Sequence, residues 1–428
     1  VDANFNVGDS DVHFEDDSLR VKADWRASDN LAVEAEVFRL SSDRFWKNSE
    51  FYFYDSAAQL IERYDPLVLG HDMDHTGVRT NLVFGPASGA FNASLGFEAN
   101  DVSFERPTNF ATPVNPNGID FSEFDVVDPY DFRPGTLADI TTAPVALDNT
   151  SDVSQWAVFG EARFSPTDRL TLVGALRYDD YDTHYVRLGR NTIDQQVDAV
   201  TGRVGAVVDL SDDTVFYAQY GTGATHPTSS VVNASAANRE ADMIESEQIE
   251  LGLKHHVDGT GFQWNVAVFD IVKNNLIVDD PDSGNPDDFF VIPEQTSQGV
   301  ELGFTYALSG SFQVHGNAAV LDTETDTGER PGTYVPEETY NLGIAWSPSS
   351  RVRILADARY VGDRFGAVPI PSYTVVDASA RWDVNDSIGL TLKADNLFDE
   401  LYASTNYYSE TWLVGRPRTV SLVFDYRF

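Results

Sequence analysis

Much of the chain is written in a two-residue rhythm. Val420, Leu422, Phe424, Tyr426 and Phe428 fall on one side of an extended segment, and Thr419, Ser421, Asp425 and Arg427 on the other, with only Val423 out of step. Successive side chains of a strand point to opposite faces, so this pattern predicts a strand with one apolar and one polar face. The rhythm repeats at Trp156–Phe164 and Leu170–Tyr178, joined by the polar run Ser165-Pro-Thr-Asp168. There Leu170, Leu172, Leu176 and Tyr178 share the apolar face, while Arg177 and Asp179 belong to the polar one. Similar turns centre on Ser28–Asn30, Pro86–Gly89, Ser211–Asp213, Asp258–Gly261, Ser309–Ser311, Ser347–Ser350 and Asn385–Ser387. Their Gly, Pro, Asp, Asn and Ser residues supply the dihedrals a tight reversal needs.

Roughly eight short turns, each between two strands, plus a last strand at 414–428, imply about seventeen strands. Between the hairpins lie long polar stretches near 41–75, 105–153, 182–198, 221–243, 274–290, 322–335, 362–372 and 397–414. Short turns at one rim and long loops at the other describe a transmembrane antiparallel β-barrel of the outer-membrane kind. An all-β barrel also answers the problem of a terminal apolar strand, because closure removes the unpaired edge. Alternation traced backwards places Val1–Asp17 at the outer rim, so the chain is expected to start in mid-barrel, as a mature or trimmed form; the competing reading is a complete eighteen-stranded barrel with a very short first strand.

Composition narrows the classes. The formal net charge is −39, from 68 acidic and 29 basic residues. Nucleic acid is excluded as a partner by that balance, since its backbone is held by Lys and Arg. Cysteine is absent, which removes disulfides, thiolate metal sites and a Cys nucleophile. No apolar run is long enough for a transmembrane helix. No Gly-x-Ser-x-Gly elbow, His-Glu-x-x-His or phosphate-binding Gly loop appears, so catalysis is not expected.

Several motifs resemble those of TonB-dependent outer-membrane receptors, in particular the ferric-siderophore group. Asp395-Asn-Leu-Phe-Asp399, Tyr402 and Gly415-Arg-Pro-Arg418 resemble the end of the penultimate strand and the start of the last. Glu245-Ser-Glu-Gln-Ile-Glu-Leu-Gly-Leu-Lys254 and Ser297-Gln-Gly-Val-Glu-Leu-Gly303 are similar to mid-barrel strands. Arg44–Glu50, His71–His75 and Gly77–Thr80 are similar to a segment of siderophore-receptor members. The resemblance implies import of a ferric siderophore across the bacterial outer membrane. It also implies a TonB-type energising complex as partner, contact with outer-membrane lipid and lipopolysaccharide, and no cofactor. Family barrels have about 22 strands around a plug, so residues 1–428 would be the C-terminal part of the barrel, with about 17 to 18 strands covered and plug and first strands not seen. A passive porin-like channel, or a receptor for cobalamin, haem or carbohydrate, is the alternative.

Two constellations invite a metal. His71-Asp-Met-Asp-His75 offers imidazoles and carboxylates, but a strand would separate His71, Met73 and His75 from Asp72 and Asp74. The plainer reading is a polar rim segment. Asp279–Asp288 is acidic, yet lacks the ligand spacing of an EF-hand, with Phe290 where the bidentate Glu belongs. Aromatics gather in three loops: Phe45, Trp46 and Phe51–Tyr54; Phe121, Phe124, Tyr130 and Phe132; Tyr407, Tyr408 and Trp412. A membrane-interface girdle would explain rings alone. Arg44, Arg133 and Arg416 beside them suggest a vestibule for a flat anionic chelate. The expected ligand contacts are Arg44, Trp46, Tyr130, Arg133, Tyr407 and Trp412, within segments 41–55, 120–133 and 404–416.

Overall fold

The computed structural model describes residues 4–86, 89–110, 124–189, 191–226, 242–257, 261–279, 289–326, 335–365, 369–407 and 411–427. The strands are β1 (Asp11–Ser28), β2 (Leu31–Asp55), β3 (Leu60–Phe84), β4 (Phe91–Thr108), β5 (Asp125–Val127), β6 (Ala146–Thr167), β7 (Leu170–Arg187), β8 (Asn191–Ser211), β9 (Thr214–Thr225), β10 (Ile244–Val257) and β11 (Phe262–Asp279). They continue as β12 (Phe289–Ser309), β13 (Phe312–Thr325), β14 (Glu338–Ser349), β15 (Val352–Val361), β16 (Arg364–Phe365), β17 (Pro369–Ile370), β18 (Tyr373–Asp383), β19 (Ile388–Asp395), β20 (Ala403–Tyr407), β21 (Thr411–Val414) and β22 (Thr419–Tyr426). One 3-10 turn, Leu137–Asp139, interrupts them.

Eighteen strands form one antiparallel sheet. Its member β5 is three residues long and rides on the outer end of β3. The other 17 pair in chain order to make the wall. The pairs β16–β17 and β20–β21 are separate hairpins beyond that wall. At the two ends of the strand order stand β1, bonded to β2, and β22, bonded to β19.

The alternation survives in three dimensions. Leu176 is 70% exposed on the outer face of β7, whereas Asp179 on the opposite face is buried. Val420, Leu422, Phe424 and Tyr426 are all exposed on one side of β22, and Asp425 on the other takes a hydrogen bond from Arg381 at 2.7 Å. The lumenal face carries ionic ladders instead. Arg177 donates to Glu98 and Asp179, each at 2.7 Å, and Arg79 and Arg177 lie 5.2 and 5.3 Å from the ring centroid of Phe159. Exposed Trp25, Phe91, Phe164, Trp346 and Trp382 all sit within a few residues of the short turns, and exposed Tyr426 pairs with Ile388 just after one of them. This is where an interfacial aromatic girdle belongs.

One expectation is corrected. Segments 41–75 and 182–198 are not long loops: β2 and β3 run 25 residues each with a four-residue connection, and β7 and β8 are joined after Arg187 by 188–190. A tilted strand crosses the membrane in about 10 residues, so the outer halves of β2 and β3 stand above it. Polar sequence there marks strands whose faces meet water or neighbouring segments of the chain, and period-two apolarity fails once neither face meets lipid. Phe428, Phe121, Tyr408, the acidic stretch 280–288 and parts of two turns (87–88 and 258–260) lie outside the described residues.

The final corner shows why its motif has these residues. β19 ends at Asp395, and Asn396 and Asp399 turn the chain with φ of 49° and 61°. Asparagine tolerates this left-handed region better than most residues. Buried Asn396 donates through Nδ2 to the carbonyls of Glu400 and Arg416, at 2.8 and 3.0 Å, and its Oδ1 accepts from Glu400 N–H at 2.8 Å. Asp399 Oδ1 accepts from Arg418 N–H at 2.9 Å. Gly415 lies under the Tyr402 ring, where a Cβ would fall 2.0 Å from a ring carbon. Asn-Leu-Phe-Asp and Gly-Arg-Pro-Arg are therefore two halves of one lock.

Candidate functional site

The wall's register assembles a row of three arginines and a histidine at the outer mouth; burial and the flanking Arg106 and Arg44 lower the His71 pKa, so the imidazole stays neutral. Phe14 of β1 lies opposite Arg44 of β2, and Arg44 opposite His71 of β3. The β3–β4 pairs Leu69↔Thr108 and Asp72↔Glu105 place Arg106 opposite His71. Arg106 pairs across to Asn149 of β6, and Asn149 to Arg187 of β7. Directly opposed residues of antiparallel strands share a face. Arg187 and Arg177 share the lumenal face of β7, so Arg44, His71, Arg106 and Arg187 line the inside at one level.

Carboxylates hold these groups in place. Arg44 reaches Asp16 at 3.3 Å, bonds Ser42 Oγ at 2.9 Å and lies 5.8 Å from the centroid of Phe14. Arg106 and Arg187 share Asp148, whose side chain is almost fully buried, with Arg187 Nε 3.6 Å from it. A register shift at Arg106/Pro107 turns Asp148 toward them. Aromatics frame the row. Trp46 meets His71 edge-on at 4.8 Å, and His71 lies 5.3 Å from Phe104. Buried Tyr185 packs with Ile193 next to it. In a chain of net charge −39, three guanidinium groups that outnumber the two carboxylates pairing them, Asp16 and Asp148, and that lie beside rings, are where an anionic, partly aromatic solute is attracted.

Above the belt, the β2–β3 hairpin is tied to the next excursion of the chain. Arg63, fully buried, forms a two-pronged ion pair with Asp125 and donates to the carbonyls of Pro134 and Phe5 at 2.7 and 3.2 Å. Val7, Val68, Leu137 and Ile140, with Phe45 against them, make a small core beside it. Tyr64 packs on Phe124 at 5.1 Å, and the Tyr54 and Tyr130 hydroxyls meet.

The expected contacts divide accordingly. Arg44 and Trp46 lie in the mouth. Tyr130 is 81% exposed near the hairpin tip, and Arg133 is 86% exposed with Asp131 at 3.7 Å. Segment 41–55 and the described part of 120–133, residues 124–133, thus do come together. In the described part of segment 404–416, β20 (Ala403–Tyr407) pairs with β21 (Thr411–Val414); Tyr407 pairs with Thr411 through the backbone and Trp412 is exposed. This hairpin is anchored to β16 instead, where buried Arg364 donates to the carbonyls of Ser404 and Ala403 at 2.6 and 2.9 Å. Arg106, Arg187 and Asp148 escaped notice because their neighbourhood reads as loop. The usable signal was parity, since Arg177 and Arg187 are ten residues apart on one strand. His71 and His75 are ring-packing residues of the lumenal wall, and no group of three His, Cys, Asp or Glu is arranged to hold a metal among the described residues.

Comparison with known proteins places this architecture. The family model described as TonB dependent receptor-like, beta-barrel, matches residues 2–397. The ferrichrome outer membrane transporter/phage receptor of Escherichia coli K12 is 26% identical over 382 residues, covering 83% of this chain and 46% of that protein. The ferric-pyoverdine BN7/BN8 receptor of Pseudomonas putida is 26% identical over 290 residues, 65% of this chain and 35% of that one. The chain thus spans about a third to a half of the curated relatives it matches. Among solved structures, the siderophore receptor PiuA from Acinetobacter baumannii superposes with a TM-score of 0.78 at 18% identity, over 99% of this chain and 66% of that one. The ferripyoverdine receptor of Pseudomonas aeruginosa, bound to ferripyoverdine, gives 0.81 at 17%, over 99% and 57%. At such identities the likeness is one of fold.

Proposed function

Because this chain belongs to the TonB-dependent receptor-like β-barrel family, we propose that it forms the wall and mouth of an outer-membrane receptor that imports a ferric siderophore. The observation that carries this reading is the belt of Arg44, His71, Arg106 and Arg187 across β2, β3, β4 and β7. A ferric chelate presents oxygen donors with negative charge, which guanidinium groups engage by charge-assisted hydrogen bonds. Trp46 offers its ring to the aryl or acyl parts, and the buried Phe104 backs His71 behind it. The names of the relatives, ferric-pyoverdine and ferrichrome receptors among them, support the same class of solute.

Tyr130, Arg133, Tyr407 and Trp412 act as an outer capture surface, and Arg44 and Trp46 as the inner one. The solute passes chemically unchanged. Its release inward requires the TonB-type complex, engaged through the plug such receptors carry. Lipid contacts the apolar face, and lipopolysaccharide the exposed hairpins.

The test is binding and uptake of ferric siderophores by cells expressing the full-length receptor under iron limitation. Arg44→Gln should weaken binding of the cognate chelate about tenfold or more, as loss of one charge-assisted contact of about 1.5–3 kcal/mol implies, and Trp46→Ala should weaken it through loss of ring contact. Unchanged binding by both, with normal surface levels, would move the site elsewhere. Uptake that persists without inner-membrane energy would favour a passive channel.

A further inference from the structure

We propose that Asp65, Glu50 and Asn48 form a divalent-cation site of the calcium type on the outer half of the β2–β3 hairpin. The ladder pairs Ser49 with Pro66 and Phe51 with Tyr64, so Glu50 and Asp65 stand opposite each other between these pairs. Asn48 is two residues before Glu50 and so on the same side of β2. Asp65 is 7% exposed, and its Oδ1 accepts no hydrogen bond. The Oδ1 of Asn48 is likewise sealed from solvent without a partner.

A buried carboxylate opposite a second one is a costly arrangement. Burial and the Glu50 charge together push the Asp65 carboxyl up to about 6. Asp65 also has a φ of 53°, in the left-handed region that residues with a Cβ adopt at an energetic cost. The polar neighbours along the ladder, Ser49 and Arg63, are engaged elsewhere: Ser49 Oγ donates to the Tyr64 carbonyl at 2.7 Å and Arg63 binds Asp125. Two carboxylates and an amide oxygen are hard donors that neutralise a doubly charged ion, and water fills the remaining positions of calcium's six to eight. The ion would join β2 to β3 where both leave the membrane's support, and so stiffen the hairpin that carries Arg44 and Trp46.

The experiment uses the chelator-stripped barrel in detergent, with Tb3+ as a luminescent probe displaced by Ca2+. The wild-type protein should show one saturable site, with Ca2+ displacing Tb3+ at sub-millimolar to millimolar concentration and Mg2+ far less well, and Ca2+ should raise its unfolding midpoint. Asp65→Asn and Glu50→Gln should each weaken Ca2+ displacement at least tenfold and abolish the midpoint shift. Asp65→Asn should in addition raise the midpoint without any cation, because it removes the buried repulsion. Equal Tb3+ and Ca2+ responses in wild type and Glu50→Gln would overturn the site, and this variant decides if Asp65→Asn fails to assemble. A higher midpoint in Asp65→Asn with no saturable binding by the wild type would overturn it too, leaving Asp65 as a carboxyl that simply carries a proton.

Discussion

Asn396 offers a test in which two energetic contributions can be separated. Its side chain makes three hydrogen bonds, to the Glu400 carbonyl, the Arg416 carbonyl and the Glu400 amide, at 2.8, 3.0 and 2.8 Å. It is 2% exposed, so water does not replace a lost partner. At about 1 kcal/mol net for each bond, truncation costs about 3 kcal/mol. The residue also sits at φ 49°, where an alanine Cβ adds about 1 kcal/mol relative to glycine or asparagine. Asn396→Ala should therefore destabilise the corner by about 4 kcal/mol and Asn396→Gly by about 3. Urea unfolding of the barrel in detergent, followed by heat-modifiable gel mobility, reads the global part. Hydrogen exchange at the amides of Glu400 and Arg418 reads the local part. Both variants should also loosen β20–β21, whose two ends the lock holds. If Asn396→Ala and Asn396→Gly are each within about 0.5 kcal/mol of wild type, and exchange at Glu400 is unchanged, the hydrogen bonds do not hold the corner and the reasoning fails.

Three further outcomes are expected. Leu176→Lys should destabilise by roughly 2–4 kcal/mol, because Leu176 lies near the middle of the band, while Leu172→Lys, close to the turn, should cost no more than about 1 kcal/mol; equal and negligible effects on urea midpoints would reverse the assigned faces. Gly415→Leu should displace the Tyr402 ring and impair assembly, which surface labelling in cells would detect, whereas normal surface levels would show that the ring moves freely. In chelator, stability should fall as pH rises through about 6, since the folded Asp65 binds its proton more tightly than the unfolded chain, whose carboxyl titrates near 3.8. The contribution is of order 1–2 kcal/mol between pH 4 and 7; an Asp65→Asn protein with the same pH slope as wild type would refute it.

The wall was legible in the sequence because lipid imposes a local rule. Each residue of a membrane-crossing strand meets either hydrocarbon or the lumen, so polarity alternates residue by residue, and Leu176 beside Arg177 reveals both faces without knowledge of neighbours. The turns were legible for a similar reason, as Asn385-Asp-Ser387 and Ser211-Asp-Asp213 carry the dihedral preferences of a reversal in themselves. Above the membrane that rule lapses. Residues 41–75 meet water or other loops on both sides, and their strands are set by pairing, which polarity does not record. The mouth belongs to this second kind. Arg44, His71, Arg106 and Arg187 are separated by up to 143 residues, and only the register of β2 through β7 sets them in one row. Arg44 and Trp46 could be picked out because rings and a guanidinium share a short segment. Arg106 and Arg187 could not, because what makes them a site is the shift that turns Asp148 inward between them, and a cross-strand shift is written in two strands at once.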